Sequence, residues 1–356
     1  MAAVALIVTS VSASVVCTSD WDCSLNGACG DSGICACNAP WTGSTCGELG
    51  FAISATSAKD VFPASDTHNT WGGPMAGPDH RGLFHMYVPI YDKGQLFGAK
   101  RIKHGVAASP SGPYDWTGPD IAPASINPAL LVYRDAANKT VYSLWMANYV
   151  LIADSLDGNF TRVPGFKHPG GANPAPLWHD GAFYVTTQHT QQIWRLPGST
   201  LRADLRWSVF ANISHAGCPP GTVPEDPFMW IDSRGRWHIV NHAYDVSQLD
   251  RCASSTVSTH FFSSDGVDWR LGSVQPYGHV VHYDDGSSHI YTTLERPFLR
   301  FNQQGTMTHL VLAADLTTGD EGCANRTGKH AGPNGTACTN CKYGDHAGTV
   351  VVTLQS

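Results

Sequence analysis

Two short runs place carboxylates where they could move protons. Glu225-Asp226-Pro227 sets two acidic side chains directly before a proline, and Glu295-Arg296-Pro297 sets one beside a cation. Proline fixes its own backbone and biases the preceding residue towards extended geometry, so each run reads as the start of a strand. Two carboxylates sharing one cavity raise the apparent pKa of the pair, and a carboxyl still protonated near neutral pH is a general acid. Strand alternation opposes that coupling. It turns Asp226 into the sheet and leaves desolvation as the source of any shift. The structural alternative makes Glu225 a loop cap or a partner for Arg296.

The same step recurs along the chain and sets the frame that must position these groups. Gly73-Pro74-Met75, Asn127-Pro128-Ala129 and Asn173-Pro174-Ala175 precede the two acidic copies, with prolines 54, 46, 53 and 70 residues apart. After each comes a turn and an alternating apolar strand, as in Asp180-Gly181 before Phe183-Tyr184-Val185. Period-two alternation with glycine turns marks antiparallel hairpins. A closing signature follows most copies: Ala107-Ala108-Ser109-Pro110-Ser111-Gly112-Pro113-Tyr114, or Ser263-Ser264-Asp265-Gly266 running to Trp269. Five copies of one unit predict an all-β chain, a five-bladed β-propeller of four-stranded blades over residues 60–356. The competing architecture is a β-sandwich. Composition agrees: 36 glycines and 22 prolines demand many turns, and 14% charged residues is too few for a coiled coil. A net charge of −7 with no basic run excludes nucleic acid and anionic membranes as partners.

The N-terminus reads differently. Met1–Ala13 is apolar and ends in Val11-Ser12-Ala13, the pattern of a cleavable secretory signal. No stretch is long enough to span a bilayer, so a secreted, extracellular protein is expected. Six cysteines, Cys17, Cys23, Cys29, Cys35, Cys37 and Cys46, then fall within thirty residues, a disulfide framework with fifteen possible pairings. Their C-x5-C-x5-C-x5-C-x-C-x8-C spacing, ending in Trp41-Thr42-Gly43-Ser44-Thr45-Cys46, resembles an EGF-like module at 17–46. The resemblance implies Cys17–Cys29, Cys23–Cys35 and Cys37–Cys46, and a contact surface for an extracellular protein. The lead before Cys17 is not acidic, so no calcium is expected there. Residues 47–59 read as a linker, and the propeller is expected to stand without the module. Of the later cysteines, Cys218 is expected to pair with Cys252, and Cys323 with Cys338 or Cys341. Sequons at Asn138, Asn159, Asn212, Asn325 and Asn334 predict surface glycosylation.

The blade starts and the A-x-S-x-x-G-P-aromatic closure resemble the five-bladed arabinanase, xylosidase, levansucrase and invertase superfamily of glycoside hydrolases. That resemblance implies catalytic carboxylates at the innermost strand starts, one acting as acid and one as base or nucleophile across a glycosidic bond. Carried over, it puts Glu225 or Asp226 at the general-acid position and Glu295 at the same rim. Gly73 stands at the place of the usual base Asp and Asn173 at that of the modulating Asp. Asp66 or Asp79 would have to supply a base from a loop. A sugar surface would then comprise Trp71, Trp145, Trp178, Trp194 and Trp230, with Asn127, Asn173 and Arg296 as hydrogen-bonders. His68, His85, His189 and His242 would project into the funnel. No cofactor or metal motif is present, so a cation in the funnel has no support from sequence. Three functions follow: a glycoside hydrolase, a glycan-binding protein derived from one, or a structural extracellular module.

Overall fold

The structure is a computed structural model. It describes residues 16–51, 61–62, 67–92, 101–123, 127–189, 191–214, 217–245, 257–282, 288–291, 293–315 and 347–355. The expected bridge partner Cys252, the candidate base Asp66, the sequons at Asn325 and Asn334, and Cys323, Cys338 and Cys341 lie outside them, as does the expected signal segment.

The described residues form strands and turns and no helix. Five antiparallel sheets follow one another in chain order and make a five-bladed propeller. Blades 2 (residues 129–162), 3 (175–212) and 4 (222–271) each contain four sequential strands. In blade 1 (68–123) the innermost strand is broken into His68–Thr70 and Met75–Ala76, which pair with opposite ends of Phe84–Asp92. The break is Trp71-Gly72-Gly73-Pro74. Blade 5 has three strands, Leu294–Phe301, Met307–Asp315 and Ala347–Thr353. The N-terminal segment completes its edge: Phe51 bridges Leu354, and the Gln355 amide donates to the Gly50 carbonyl at 2.9 Å. Residues 50–51 of the expected linker therefore pair with blade 5.

Four of the five inner hairpins share a turn. The Oδ1 atoms of Asp79, Asp135, Asp232 and Asn302 each accept two backbone amides of the turn, at 2.8–3.0 Å. Three residues later comes a left-handed position, Gly82, Asn138, Gly235 or Gly305. Side-chain capping plus a residue tolerating positive φ builds this loop. Blade 3 turns through Asp180-Gly181, both with positive φ, the two-residue hairpin geometry.

Apolar faces pack between neighbouring blades. Tyr87 and Ile102 meet Leu144 and Met146 across blades 1 and 2, and Tyr184 meets Trp237 and Phe261 across blades 3 and 4. The cysteine-rich module forms the three implied bridges, Cys17–Cys29, Cys23–Cys35 and Cys37–Cys46. It is not a separate bead, contrary to expectation. Its Trp41, Cys23 and Cys46, with Leu49 of the following segment, share one buried cluster with Trp230 and Val240 of blade 4 and Leu299, Leu310 and Val350 of blade 5. Thirty residues hold too little apolar area for a core of their own, and the propeller supplies the rest. Cys218 is half-buried and unbridged to any other described cysteine; its expected partner Cys252 lies outside the described residues. Asn138, Asn159 and Asn212 are exposed, as their sequons require.

Candidate active site

The residue before each blade-start proline departs from extended geometry. Asn127, Asn173, Asp226 and Arg296 have φ of 56°, 55°, 54° and 57°, and Gly73 has 153°. A left-handed residue before proline is disfavoured, and such strain is held where the surrounding structure enforces it. Here it bends the innermost strand. In blades 4 and 5 the ladder register slips between Glu225 and Phe228 and between Glu295 and Phe298. The slip breaks strand alternation, so Asp226 turns to the propeller axis instead of into the blade.

Four of these side chains join across the axis. The Asn127 amide donates to Asn173 Oδ1, the Asn173 amide donates to Asp226 Oδ1, and Arg296 Nη1 donates to the same oxygen at 3.1 Å. The fifth position has no room for a side chain, because a Cβ on Gly73 would lie 2.1 Å from the Tyr87 carbonyl oxygen. Beside this ring the prolines line an axial space of only about 30 Å³. That suits a water or two, so the ring plugs the axis.

Three carboxylates gather here in different surroundings. Glu225 is half-buried and accepts a hydrogen bond from Gln188 Nε2, at the end of the second strand of blade 3. Asp226 is buried, and its pKa is pushed up to about 6. Desolvation is the main cause; Arg296 opposes it, and the Glu225 and Glu295 charges add to it. Glu295 is 3% exposed, accepts from Thr293 Oγ1 at 2.9 Å, and lies 3.7 Å from His242 Nε2. Asp226, His242 and Glu295 each offer a ligand atom, all within 4.8 Å of one another. They are the described set around the axis that could hold a cation, in competition with Arg296 for Asp226. Burial pushes the Tyr91 and Tyr277 hydroxyls well up, with Asp226 and Glu295 close enough to add to it.

The structure thus brings Glu225, Asp226, Glu295, Asn127, Asn173, His242 and Arg296 together. Other expectations change. Trp71 is 2% exposed and packs with Tyr91, Ala313 and Ala347, so it seals the joint of blades 1 and 5 and offers no open ring face. Trp145 and Trp230 are buried, and Trp178 and Trp194 pack between blades 2 and 3. Aromatic bulk went to the inter-blade core, where it buries the most area. His85 does not reach the funnel: it is buried between His104 (2.9 Å) and Asp79 (3.1 Å). Asp79 is engaged by Arg81 in the blade 1 turn, at the other end from Glu225, and cannot serve there as a base. His68 is half-buried at the rim, 3.2 Å from Arg101, and His189 is exposed beside Gln188. Sequence reasoning missed Gln188, Thr293, Tyr91 and Tyr277, which come from strand ends and connections without a motif. Their only signal is position relative to the blade starts.

No protein-family model matches the sequence, and no curated protein matches it. Solved structures parallel the fold. The chain is similar to a thermostable family-43 glycoside hydrolase at 12% identity, over 84% of this chain and 93% of that one, with a TM-score of 0.49. It is similar to the Xanthomonas citri GH43_1 enzyme complexed with xylotriose at 10% identity, over 84% and 91%, TM-score 0.49. It is also similar to an endo-arabinase from Bacteroides thetaiotaomicron at 10% identity, over 86% and 98%, TM-score 0.48.

Proposed function

We propose that this is a secreted, carbohydrate-active protein whose funnel accepts a glycan over the axial ring, with Glu225 as the proton donor. The observation that carries the reading is the convergence of Glu225, Asp226 and Glu295 with two amides and a guanidinium at one end of the axis. Sugar hydroxyls both donate and accept, and this mixture of fixed acceptors and donors answers them. Glu225 is the carboxylate of the three with solvent access, so it is the one that can reach a leaving-group oxygen. Asp226 is a positioning residue: it holds Arg296 and Asn173 in place and changes its charge near neutral pH. Glu295, steadied by Thr293 and His242, is the partner carboxylate.

The second reading, glycan binding without cleavage, is favoured by Gly73, which leaves blade 1 without a carboxylate at its matching step. One experiment separates the two. Aryl glycosides and glycan fragments are screened for cleavage and for binding with wild type and Glu225→Gln. Hydrolysis by wild type that falls roughly 10²–10⁴-fold in the variant, with binding kept, supports the acid role. Retained turnover in the variant removes Glu225 from the mechanism. Binding without turnover in wild type moves the protein to the second reading.

A further inference from the structure

Blade 2 carries an open cleft beside its outermost strand, Thr161–Arg162. The cleft holds about 480 Å³ and runs between the turn that bears Asp135 and Lys139 and the closing loop that bears Asp154 and Asn159. Val141 and Ile152, both half-buried, form its floor.

Asn159 carries the inference, because it is at once a wall of the cleft and the acceptor of the sequon Asn159-Phe160-Thr161. Local packing fixes its direction. Phe160 is 8% exposed and lies edge-on to Tyr87 in the joint of blades 1 and 2, with ring centroids 5.6 Å apart. Extended chain alternates, so Asn159 and Thr161 turn to the opposite face. That is the face of Ile152, the ladder partner of Thr161, and of Val141, both of which pack towards blade 3. The loop before Asn159 is pinned. The Tyr87 hydroxyl donates to the Leu156 carbonyl, and the Gly158 amide donates to the Ser155 carbonyl at 3.1 Å. The Asn159 side chain is exposed and enters none of these bonds, so its amide nitrogen stands ready at a fixed place.

The lining suits a sugar attached there. Pyranose rings have an apolar face and a polar rim. The floor is apolar, and the polar groups sit around it. Lys139 and Asp154 pair at 2.7 Å, and Asp135 Oδ1 accepts the Ala137 and Lys139 amides at 2.9 Å. Paired in this way they do not call for an ion, yet they still offer donors and acceptors to hydroxyl and acetamido groups. The volume lies within the range of small-ligand sites, room for the first two residues of a glycan and not for its branches. An edge strand is a liability unless something covers it, and Thr161 opens the edge strand of this blade.

We propose that Asn159 carries an N-linked glycan whose first two residues lie in this cleft, apolar faces on Val141 and Ile152, and cover the edge of blade 2. Attachment joins Asn159 Nδ2 to C1 of the first sugar as the C1–O bond to a lipid pyrophosphate breaks. The pyrophosphate leaves with the electron pair, and Nδ2 gives up one proton. The lipid-linked oligosaccharide is the donor of a eukaryotic secretory pathway, so the proposal rests on the secreted reading above and not on the funnel chemistry. The test uses the full-length protein made in cultured eukaryotic cells. Glycopeptide mass spectrometry reads occupancy at Asn138, Asn159 and Asn212, and peptide-N-glycanase is then applied to the folded protein. Asn159 should be occupied. Its glycan should be removed about tenfold more slowly than one on Asn138 or Asn212, with equal rates after denaturation. In methyl-labelled protein, NOEs should join the sugar acetamido methyl to the Val141 and Ile152 methyls. Asn159 left bare beside an occupied Asn138 or Asn212 overturns the proposal and leaves secretion standing. Removal as fast as at the other sites overturns it, since the glycan then stands in solvent. Slow removal without those NOEs overturns it too, since the protein then shields the linkage without seating the sugar. Protein kept inside the cell with all three sites bare sinks the secreted reading and the proposal with it.

Discussion

Replacing Trp41 by alanine should destabilise the propeller, not only the module that contains it. Trp41 is 4% exposed, stacks with His260 at 5.0 Å and with Trp230 at 6.5 Å, and belongs to a buried cluster reaching Leu310 and Val350 of blade 5. Deleting a buried indole removes its transfer free energy and leaves a cavity, about 3–5 kcal/mol in well-packed cores. At the size of this chain that corresponds to a fall in Tm of roughly 4–7 °C. The assay is differential scanning calorimetry of oxidised protein near neutral pH, with Ser32→Ala, exposed on the same module, as the control. Wild type should show one main transition that moves down in Trp41→Ala and stays in Ser32→Ala. Two results would refute the reasoning. One is a main transition unmoved by Trp41→Ala. The other is a small early transition that alone responds, which would make the module an independent unit.

Gly73→Ala should lower stability by at least ~1–3 kcal/mol in urea unfolding, because its φ of 153° and the Tyr87 carbonyl at 2.1 Å both exclude a Cβ; a variant as stable as wild type would show that the axial ring can open there. Acidification from pH 6.5 to 4 should steadily lower the urea midpoint. Burial holds His104 and His309 down to about 4 and lowers His85, His238 and His260, so they contribute nothing while neutral in both states and penalise folding increasingly as the unfolded chain takes up protons below its ordinary pKa of 6.5. Asp226, raised to about 6, works the other way over the same window, since the folded state protonates first as pH falls. One carboxylate against five histidines leaves a net loss; a midpoint flat or rising towards pH 4 would contradict this account.

The blade frame was legible because proline marks are local: five X-Pro starts and the turns after them could be counted without knowing what they touch. That Glu225, Glu295, Asn127 and Asn173 lie near one end of the axis followed from that count, since equivalent positions in a propeller meet at the axis, whereas Asp226 was expected to turn into the sheet. The backbone at those positions was not legible. The pre-proline rule describes an isolated dipeptide, and closure of the ring overrides it in Asn127, Asn173, Asp226 and Arg296. Tryptophan was misread for a related reason. Its type is the same whether it faces a ligand or a neighbouring blade, and only the packing shows that Trp71 and Trp145 are inside. The recurring Asp-x-x-Gly of the blade 1 and blade 4 turns was there to be read, in Asp79–Gly82 and Asp232–Gly235, and would have removed Asp79 from the candidate bases.

Blades 4 and 5 bear most of the site's charge and also hold the module, at opposite ends of the same inner strands. Asp226 of blade 4 and Arg296 of blade 5 meet at 3.1 Å, and a buried pair of this kind is geometry-sensitive, since losing alignment leaves two uncompensated charges. Their separation depends on how the two blades are held along their length. At the far end Arg234 and Arg236 of blade 4 grip module carbonyls, and Trp41 fills the joint between the two blades. The module thus shares one buried cluster with the two blades whose strand starts carry Asp226 and Arg296, and removing it would leave the far ends of both blades with exposed apolar faces.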